Sequence, residues 1–394
     1  MLTNGQAKSS SYQGANPIHE LLAEGQSVWQ DDISRQMLES GEIARAISET
    51  GIRGLTSNPT IFEKAIASGT AYDADIARFL GEDKTAAEIF EAVEVQDIRD
   101  ACDLFRPIYD ESNGGDGYCS IEVSPGAARD PELTRNEARR LWQSVDRPNL
   151  MVKIPGTAEG AAIIEEMLTE GININITLLF AIESYERVAN AYVAALEARA
   201  VSGQPIDRIA SVASFFVSRV DTLVDKLLDE KIAQTTDSAA KEELQHLKAK
   251  AAVANAKLAY ASFQEIFEGP GFAPLRANGA MVQRPLWAST SVKNPDYRDV
   301  LYVEELIGPD TVNTMPRPTI VAFSDHGIVG RTVDRDLDAA RQIVAELRQV
   351  GIEMEDVTAR LEDEGITSFT KSYDTLIAGV EAKRSQVATA VAAG

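Results

Sequence analysis

Short runs of apolar residues alternate along the chain with longer segments that have the periodicity of amphipathic helices. The apolar runs are rich in Val, Ile, Leu and Phe, as is typical of strands in a parallel sheet. Eight such runs, separated by helical segments, predict βαβ units and hence an α/β protein with a closed (β/α)₈ TIM barrel. The predicted strands cover residues 27–32, 51–58, 117–123, 150–155, 174–180, 208–217, 284–291 and 311–316, and helices between them cover 34–49, 86–105, 136–144, 160–169, 182–201 and 218–231.

The chain is longer than such a barrel requires, since it has 394 residues and TIM barrels typically need about 250. A segment rich in Ala, Lys and Glu at about 236–268 predicts a helical insertion before the seventh strand. Residues from about 331 to 394 predict a helical C-terminal extension, with helical patterns at 333–350, 354–364 and 368–393. Neither segment carries a chemical motif. We therefore predict a single domain over residues 1–394, with both segments as outer-wall or interface helices.

Charge and composition limit the classes of partner and site. A net charge of −23 disfavours nucleic acids and anionic membranes, so an anionic substrate requires a local cluster of cations. No apolar stretch reaches the ~18 residues of a membrane span, and residues 1–14 carry no apolar signal core, so we expect a cytoplasmic protein. Cys102 and Cys119 lack metal-ligand spacing and the histidines are scattered singly, so no metal site is predicted. A monomer and a homodimer both remain open.

Lys153 is the residue in the strand pattern that apolar packing does not explain. It lies in the fourth predicted strand, within the segment Asn-Leu-Met-Val-Lys-Ile-Pro at 149–155. Burial there would favour the neutral amine over the ammonium, and a neutral amine in a dry pocket attacks ketones to form a Schiff base. The alternative is a strand-end lysine whose long stem carries the charge to solvent.

The first three predicted strands carry further polar residues near their ends. Asp31 is a candidate general acid or base, although an aspartate here could instead cap the helix that starts near Ser34, and Asp32 fits that cap better. Asn58 precedes a proline and could orient a substrate hydroxyl, or form a turn or a cap. Glu122 lies among apolar residues, where a carboxylate is costly to bury without a partner and would suit a proton shuttle.

The later strands supply candidates for substrate and phosphate contacts. Asn175 and Thr177 share one face of the fifth strand, although β propensity alone also explains a threonine there. Arg219, Ser291 and Lys293 follow the sixth and seventh strands, where such barrels often bind phosphate. For Arg219 the alternative is an ion pair with Asp221 or another carboxylate.

Four segments in combination resemble the transaldolase family. They are GLTSNPT at 54–60, VKIPGT at 152–157, GININITLLF at 171–180 and SFFVSRVD at 214–221, and the resemblance covers about residues 25–320. It implies a class I aldolase-type barrel in which Lys153 forms the Schiff base. It further implies that Asp31 is the acid/base and that Glu122 and Thr177 hold the catalytic water. Asn58 and Asn175 would orient the substrate beside Ser214. The implied phosphate-binding residues are Arg219, Ser291 and Lys293.

The resemblance also implies the reaction. A dihydroxyacetone unit moves from sedoheptulose 7-phosphate to glyceraldehyde 3-phosphate, which gives erythrose 4-phosphate and fructose 6-phosphate. No metal or organic cofactor is implied, because the protonated imine is itself the electron sink. Related fructose 6-phosphate aldolases carry tyrosine where this chain has Phe216, so phenylalanine favours transfer over release.

The chain departs from the family pattern at Lys293, where other branches have arginine, so a single ammonium replaces a bidentate group. The insertion and the C-terminal extension resemble a longer bacterial branch. Two alternatives remain at this point. One is an aldolase that releases free dihydroxyacetone through the same imine, and the other is a sugar-phosphate-binding barrel without the chemistry.

Overall fold

Eight parallel strands form a closed barrel in which each strand pairs with the next and β8 pairs with β1. The computed structural model describes residues 16–67 and 69–393, so the segment 1–14 lies outside the described residues. The predicted (β/α)₈ barrel is confirmed, with strands somewhat shorter than the apolar runs. The strands are β1 Gln26–Asp31, β2 Gly54–Thr56, β3 Cys119–Glu122, β4 Leu150–Pro155, β5 Ile174–Leu179, β6 Ser211–Phe216, β7 Arg284–Ala288 and β8 Thr311–Met315.

Helices surround the barrel and connect its strands. None of the helices in the described ranges is long and apolar enough to cross a membrane. In chain order they are α1 Pro17–Ala23, α2 Arg35–Glu39, α3 Glu42–Arg45 followed by a π-helical turn Ala46–Thr50, α4 Pro59–Ala67, α5 Asp73–Leu80, α6 Ala86–Glu111, a 3₁₀ turn Pro125–Arg129, α7 Pro131–Val145, α8 Gly160–Glu170, α9 Ile182–Val201, α10 Ser218–Gln234, α11 Ser238–His246, α12 Ala251–Phe267, α13 Ala273–Ala277, α14 Leu301–Glu304, α15 Arg317–His326, α16 Leu337–Gln349 and α17 Met354–Ala393.

Local capping explains where several helices begin. Thr85 and Glu88 form a reciprocal capping box at the start of α6, in which each side chain accepts the backbone N–H of the other residue. Asp130 accepts two backbone N–H groups at the start of α7, and Pro131 occupies the first helical position, where its missing N–H is not needed. These residues satisfy the N–H groups that the first turn of a helix leaves without intrahelical partners.

Two predicted helices are divided in the structure. The predicted helix 34–49 is interrupted at Gly41, whose φ is +71°. The insertion at 236–268 consists of α11 and α12 instead of one extended helix, and Ala249 between them has a φ of +61°. Carboxylates on α10 hold this second break, because Asp225 accepts the N–H of Ala249 at 3.1 Å and Asp221 accepts the N–H of Ala252 at 2.8 Å.

The C-terminal extension departs furthest from the prediction. Residues 354–364 and 368–393 belong to one continuous helix, α17, and Gly365 lies inside it. Of the two expected positions, outer wall or interface, the outer wall is wrong for α17, since Gly365 approaches Leu178 and Phe180 at the C-terminal end of the barrel. This position favours glycine, because the Cβ of any other residue would lie only 3.1 Å from the Leu178 side chain. By contrast, α16 and the insertion helix α12 pack against each other outside the barrel.

The lower part of the barrel interior is filled by a compact cluster of large side chains. Trp29, Tyr118 and Met151 belong to this cluster and are at most 1% exposed. The indole Nε1 of Trp29 donates to Asp116 at 3.0 Å, which satisfies its polar atom within the core. The cluster closes the barrel below the polar residues at the strand ends.

Gly54 on β2 leaves room for this cluster, because a Cβ at this position would lie 2.5 Å from the Trp29 ring. We expect Gly54→Ala to lower the free energy of unfolding by about 1–3 kcal/mol through overpacking, as measured by urea unfolding. Gly379→Ala on α17 is the matched control, since no heavy atom lies within 4 Å of its added Cβ. The control substitution should leave the free energy of unfolding unchanged or raise it by up to about 1 kcal/mol. Equal stability of the two variants would contradict the proposed clash.

Candidate active site

A cavity of about 710 Å³ opens at the C-terminal ends of the strands. Residues from the barrel strands and their loops and from helices α2, α4, α10 and α17 line it. Of the residues singled out in the sequence, it brings together Asp31, Asn58, Glu122, Lys153, Thr177, Ser214, Phe216, Arg219, Ser291 and Lys293. Asn175 is fully buried beside them and does not line the cavity.

Lys153 points into the barrel instead of reaching solvent, since only 8% of the residue is exposed. Its Nζ lies 3.1 Å from Oε2 of Glu122 and donates to the carbonyl of Ser57 at 3.2 Å. The parallel pairing of β3 and β4 places Glu122 directly beside Lys153. The amine is therefore buried as expected, but it has a carboxylate partner that counteracts the loss of hydration.

Glu122 has an environment suited to exchanging protons. Burial raises the pKa of its carboxyl, while the nearby Lys153 ammonium opposes that shift. Thr177 lies across from it on β5, with 1% of the residue exposed. The next residue, Leu178, has a φ of +60°, and the pairing of β5 with β6 shifts register between Ile176 and Leu179. Such an irregularity redirects side chains at the end of a strand.

Asp31 is half-buried on the opposite side of the cavity. Its Oδ1 accepts a hydrogen bond from Thr56 at 2.8 Å, and Thr56 is also within 2.7 Å of the Thr314 hydroxyl. Burial raises the pKa of Asp31, and Lys153 and the Thr56 hydroxyl oppose the shift. The cap of α2 is supplied by Ser34, whose Oγ accepts the N–H of Met37. The capping alternative for the aspartates is therefore wrong.

The asparagines occupy two different situations. Oδ1 of Asn58 accepts the N–H of Ile61 at 3.2 Å, so this residue caps α4 and also lines the cavity. Asn175 donates from Nδ2 to Ser120 at 3.0 Å and accepts at Oδ1 from Ser214 at 2.7 Å. Asn175 thus holds Ser214 in place from behind the cavity.

A positively charged region lies at the far side of the cavity. The Arg219 guanidinium stands over the Phe216 ring, 5.0 Å from its centre, and burial lowers its pKa. No carboxylate among the described residues lies within 4 Å of it. Asp221 is engaged elsewhere, with Ala252 and with the Tyr302 hydroxyl at 2.9 Å. A desolvated guanidinium without a carboxylate partner favours an anionic ligand.

Lys293 and Ser291 extend this region. Nζ of Lys293 donates to Oγ of Ser291 at 2.6 Å, and both residues line the same cavity as Arg219. The cavity therefore has an acidic and amine-bearing side around Lys153 and a cationic side around Arg219. This arrangement matches a ligand with a reactive carbonyl at one end and an anionic group at the other.

Sequence reasoning missed several residues that line the cavity. Thr56 lies in the GLTSNPT segment at 54–60. Its hydrogen bond to Asp31 could not be predicted, because the two residues meet only in the folded barrel. Lys64 on α4 adds an exposed cation, and its position next to a strand end was the only signal for it. The C-terminal helix contributes Gly365, Ser368, Phe369 and Ser372. Their spacing of three and four residues could have identified one face of a helix.

Comparison with known proteins identifies the family of this chain. The sequence model of the transaldolase/fructose-6-phosphate aldolase family matches residues 28–380, which includes most of α17. A transaldolase of Trichodesmium erythraeum (strain IMS101) is 49% identical over 370 residues, covering 93% of this chain and 97% of the relative. A transaldolase of Thermobifida fusca (strain YX) is 48% identical, covering 92% of this chain and 96% of the relative. The chain therefore belongs to the transaldolase/fructose-6-phosphate aldolase family.

Proposed function

We propose that this protein is a transaldolase that moves a dihydroxyacetone unit from sedoheptulose 7-phosphate to glyceraldehyde 3-phosphate through an imine on Lys153. The observation that carries this proposal is the buried Lys153 amine, 3.1 Å from Glu122, in a cavity that also contains Asp31 and Arg219. The products are erythrose 4-phosphate and fructose 6-phosphate.

Imine formation requires Lys153 to attack the ketone as a neutral amine. Glu122 is the nearest base for the ammonium proton, and burial favours its protonated form. Nζ bonds to the carbonyl carbon, and the resulting carbinolamine loses its hydroxyl as water when Glu122 returns a proton to it. Thr177 is placed to hold that water together with Glu122. The product is a protonated imine, which accepts electrons from the adjacent carbon chain.

Cleavage of the carbon–carbon bond uses the other side of the cavity. Ionised Asp31 removes the proton from the C4 hydroxyl, the C3–C4 bond breaks, and its electrons neutralise the iminium to leave an enamine on Lys153. The aldehyde product departs and the acceptor aldehyde takes its place. The enamine then attacks the acceptor carbonyl, and Asp31 gives its proton to the new hydroxyl. Water finally hydrolyses the imine by the reverse of its formation.

The other candidate residues bind and orient the substrate. Arg219, Ser291 and Lys293 bind the phosphate, which sets the distance between the anionic end and the imine. Asn58 and Ser214 face the carbon chain from the cavity wall, and Asn175 acts through Ser214.

Phe216 offers no hydroxyl to the enamine, which favours transfer to an aldehyde over protonation and release of dihydroxyacetone. We infer that the protein works in the cytoplasm as a single domain, either as a monomer or as a homodimer. Its net charge of −23 suits small soluble substrates better than nucleic acids or anionic membranes.

The first test is to trap the imine. Borohydride reduction with fructose 6-phosphate should place a stable adduct on Lys153, located by peptide mass analysis. Lys153→Arg keeps a positive charge near Glu122 but cannot form an imine, so turnover should fall by about four orders of magnitude or more. Lys257→Arg is the matched control, because Lys257 is similarly buried and pairs with Glu305 at 3.2 Å outside the cavity. An adduct on another residue, or normal turnover of Lys153→Arg, would refute the assignment.

Transfer is distinguished from simple aldolase activity in the same assay. Fructose 6-phosphate cleavage should depend on an aldehyde acceptor such as erythrose 4-phosphate. Turnover that is equally fast without the acceptor would instead identify an aldolase that releases dihydroxyacetone.

The second test concerns Asp31 and pH. As a base, Asp31 must be ionised, so kcat/KM should fall on the acid side as the pH drops through its pKa, which burial raises above the ordinary value. Thr56→Val removes a hydrogen bond that favours the ionised form, so the pKa should rise and the acid limb should move to higher pH. Thr314→Val, one hydrogen bond further from the carboxylate, should cause a smaller movement. An unmoved acid limb in Thr56→Val would rule out Asp31 as the group that titrates.

The third test concerns phosphate. Arg219→Ala should lower kcat/KM for fructose 6-phosphate by about 10- to 150-fold, as expected for loss of a charged hydrogen bond, and should barely change reactions of unphosphorylated dihydroxyacetone. Arg199→Ala serves as the control, since Arg199 is buried but donates to the carbonyls of Thr169 and Pro205 away from the cavity. Equal losses with both substrates would show that Arg219 does not bind the phosphate.

A further inference from the structure

The C-terminal helix α17 presents an unusual stripe of residues to the cavity. Gly365, Ser368, Phe369 and Ser372 are spaced by three and four residues and all line the cavity. Before and after them, most buried positions of the same helix are apolar and include Leu361, Leu376 and Val380, with Thr358 as a buried hydroxyl residue. The apolar face is therefore replaced by small and hydroxyl-bearing residues where the helix crosses the cavity.

The hydroxyls of the two serines are available to a ligand. Three other hydroxyl residues of α17, Thr358, Thr370 and Thr375, each donate to the carbonyl four residues earlier in the same helix. Ser368 and Ser372 make no side-chain hydrogen bond with any part of the chain that the structure describes. Ser368 is exposed and Ser372 is half-buried, so neither hydroxyl is hidden in packing.

One end of the stripe, at Gly365, lies beside Arg219, a proposed phosphate-binding residue. A Cβ on Gly365 would lie 3.1 Å from Leu178 and 3.8 Å from the Arg219 guanidinium, so the helix backbone comes close to the cationic region there. Because an α-helix rises 1.5 Å per residue, Ser368 and Ser372 lie about 4.5 and about 10.5 Å further along its axis. Beyond them α17 packs on α4, which carries Lys64 and Ile61 at the cavity rim.

We propose that Ser368 and Ser372 form a subsite for the hydroxyl groups of the sugar-phosphate carbon chain, between the imine carbon and the phosphate. This inference rests on the proposed transaldolase function. The serines bind the part of the donor beyond its third carbon and so contribute to the selection of donor length. They are binding residues and take no part in proton transfer.

The double variant Ser368→Ala, Ser372→Ala tests the subsite. KM for fructose 6-phosphate and for sedoheptulose 7-phosphate should rise about three- to tenfold, as expected for loss of neutral hydrogen bonds, while kcat stays within about twofold because bond breaking is untouched. Thr375→Ala is the control on the same helix, since Thr375 is exposed and its hydroxyl is bonded within the helix. It should leave both constants unchanged.

Dihydroxyacetone separates this inference from the proposed function. It has no carbon beyond the third, so its borohydride-trapped adduct on Lys153 should form equally well in the double variant and the unsubstituted protein. An unchanged KM of the double variant for both sugar phosphates would overturn the subsite. So would a double variant in which kcat, the yield of the dihydroxyacetone adduct and Tm all fall together. Failure of the unsubstituted protein to form any adduct would instead refute the imine mechanism itself.

Discussion

The buried ion pair between Lys153 and Glu122 is the interaction on which the arrangement of the cavity depends. Each group alone would lose hydration at high cost, and at 3.1 Å each offsets the cost of the other. Removing one partner from such a pair typically costs about 3–5 kcal/mol, because the other is left buried and unpaired. The two residues therefore depend on each other for burial at the base of the cavity.

The barrel makes this pair without special local structure. Parallel pairing sets Glu122 beside Lys153 and Asn175 on the other side of it. Large side chains around Trp29 close the barrel beneath them, so the cavity opens only toward the strand ends. Asp31 on β1 and Arg219 on α10 then reach the same space from positions far apart in the chain.

Much of this architecture could be predicted from the sequence, because buried parallel strands and amphipathic helices leave distinct periodic patterns. Lys153 and nine other residues that line the cavity were identified from polar side chains near strand ends or from the family resemblance. The Lys153–Glu122 contact, the Thr56–Asp31 bond and the course of α17 could not be predicted, since each depends on how distant segments meet when the barrel closes. The division of this region into separate helical patterns at 354–364 and 368–393 was wrong, because α17 is continuous and Gly365 within it allows close packing against Leu178. The functional roles of the cavity residues, and of Asn175 behind them, stay predictions.

The continuous helix α17 has a consequence for synthesis of the protein. It follows all eight strands in the chain, yet it supplies one wall of the cavity and contacts α4, α5 and α6. During translation the barrel strands leave the ribosome first, and the cavity stays open on that side until the last helix emerges and docks. Nascent chains that stop before residue 354 would thus contain Lys153 without the wall of the cavity that α17 supplies.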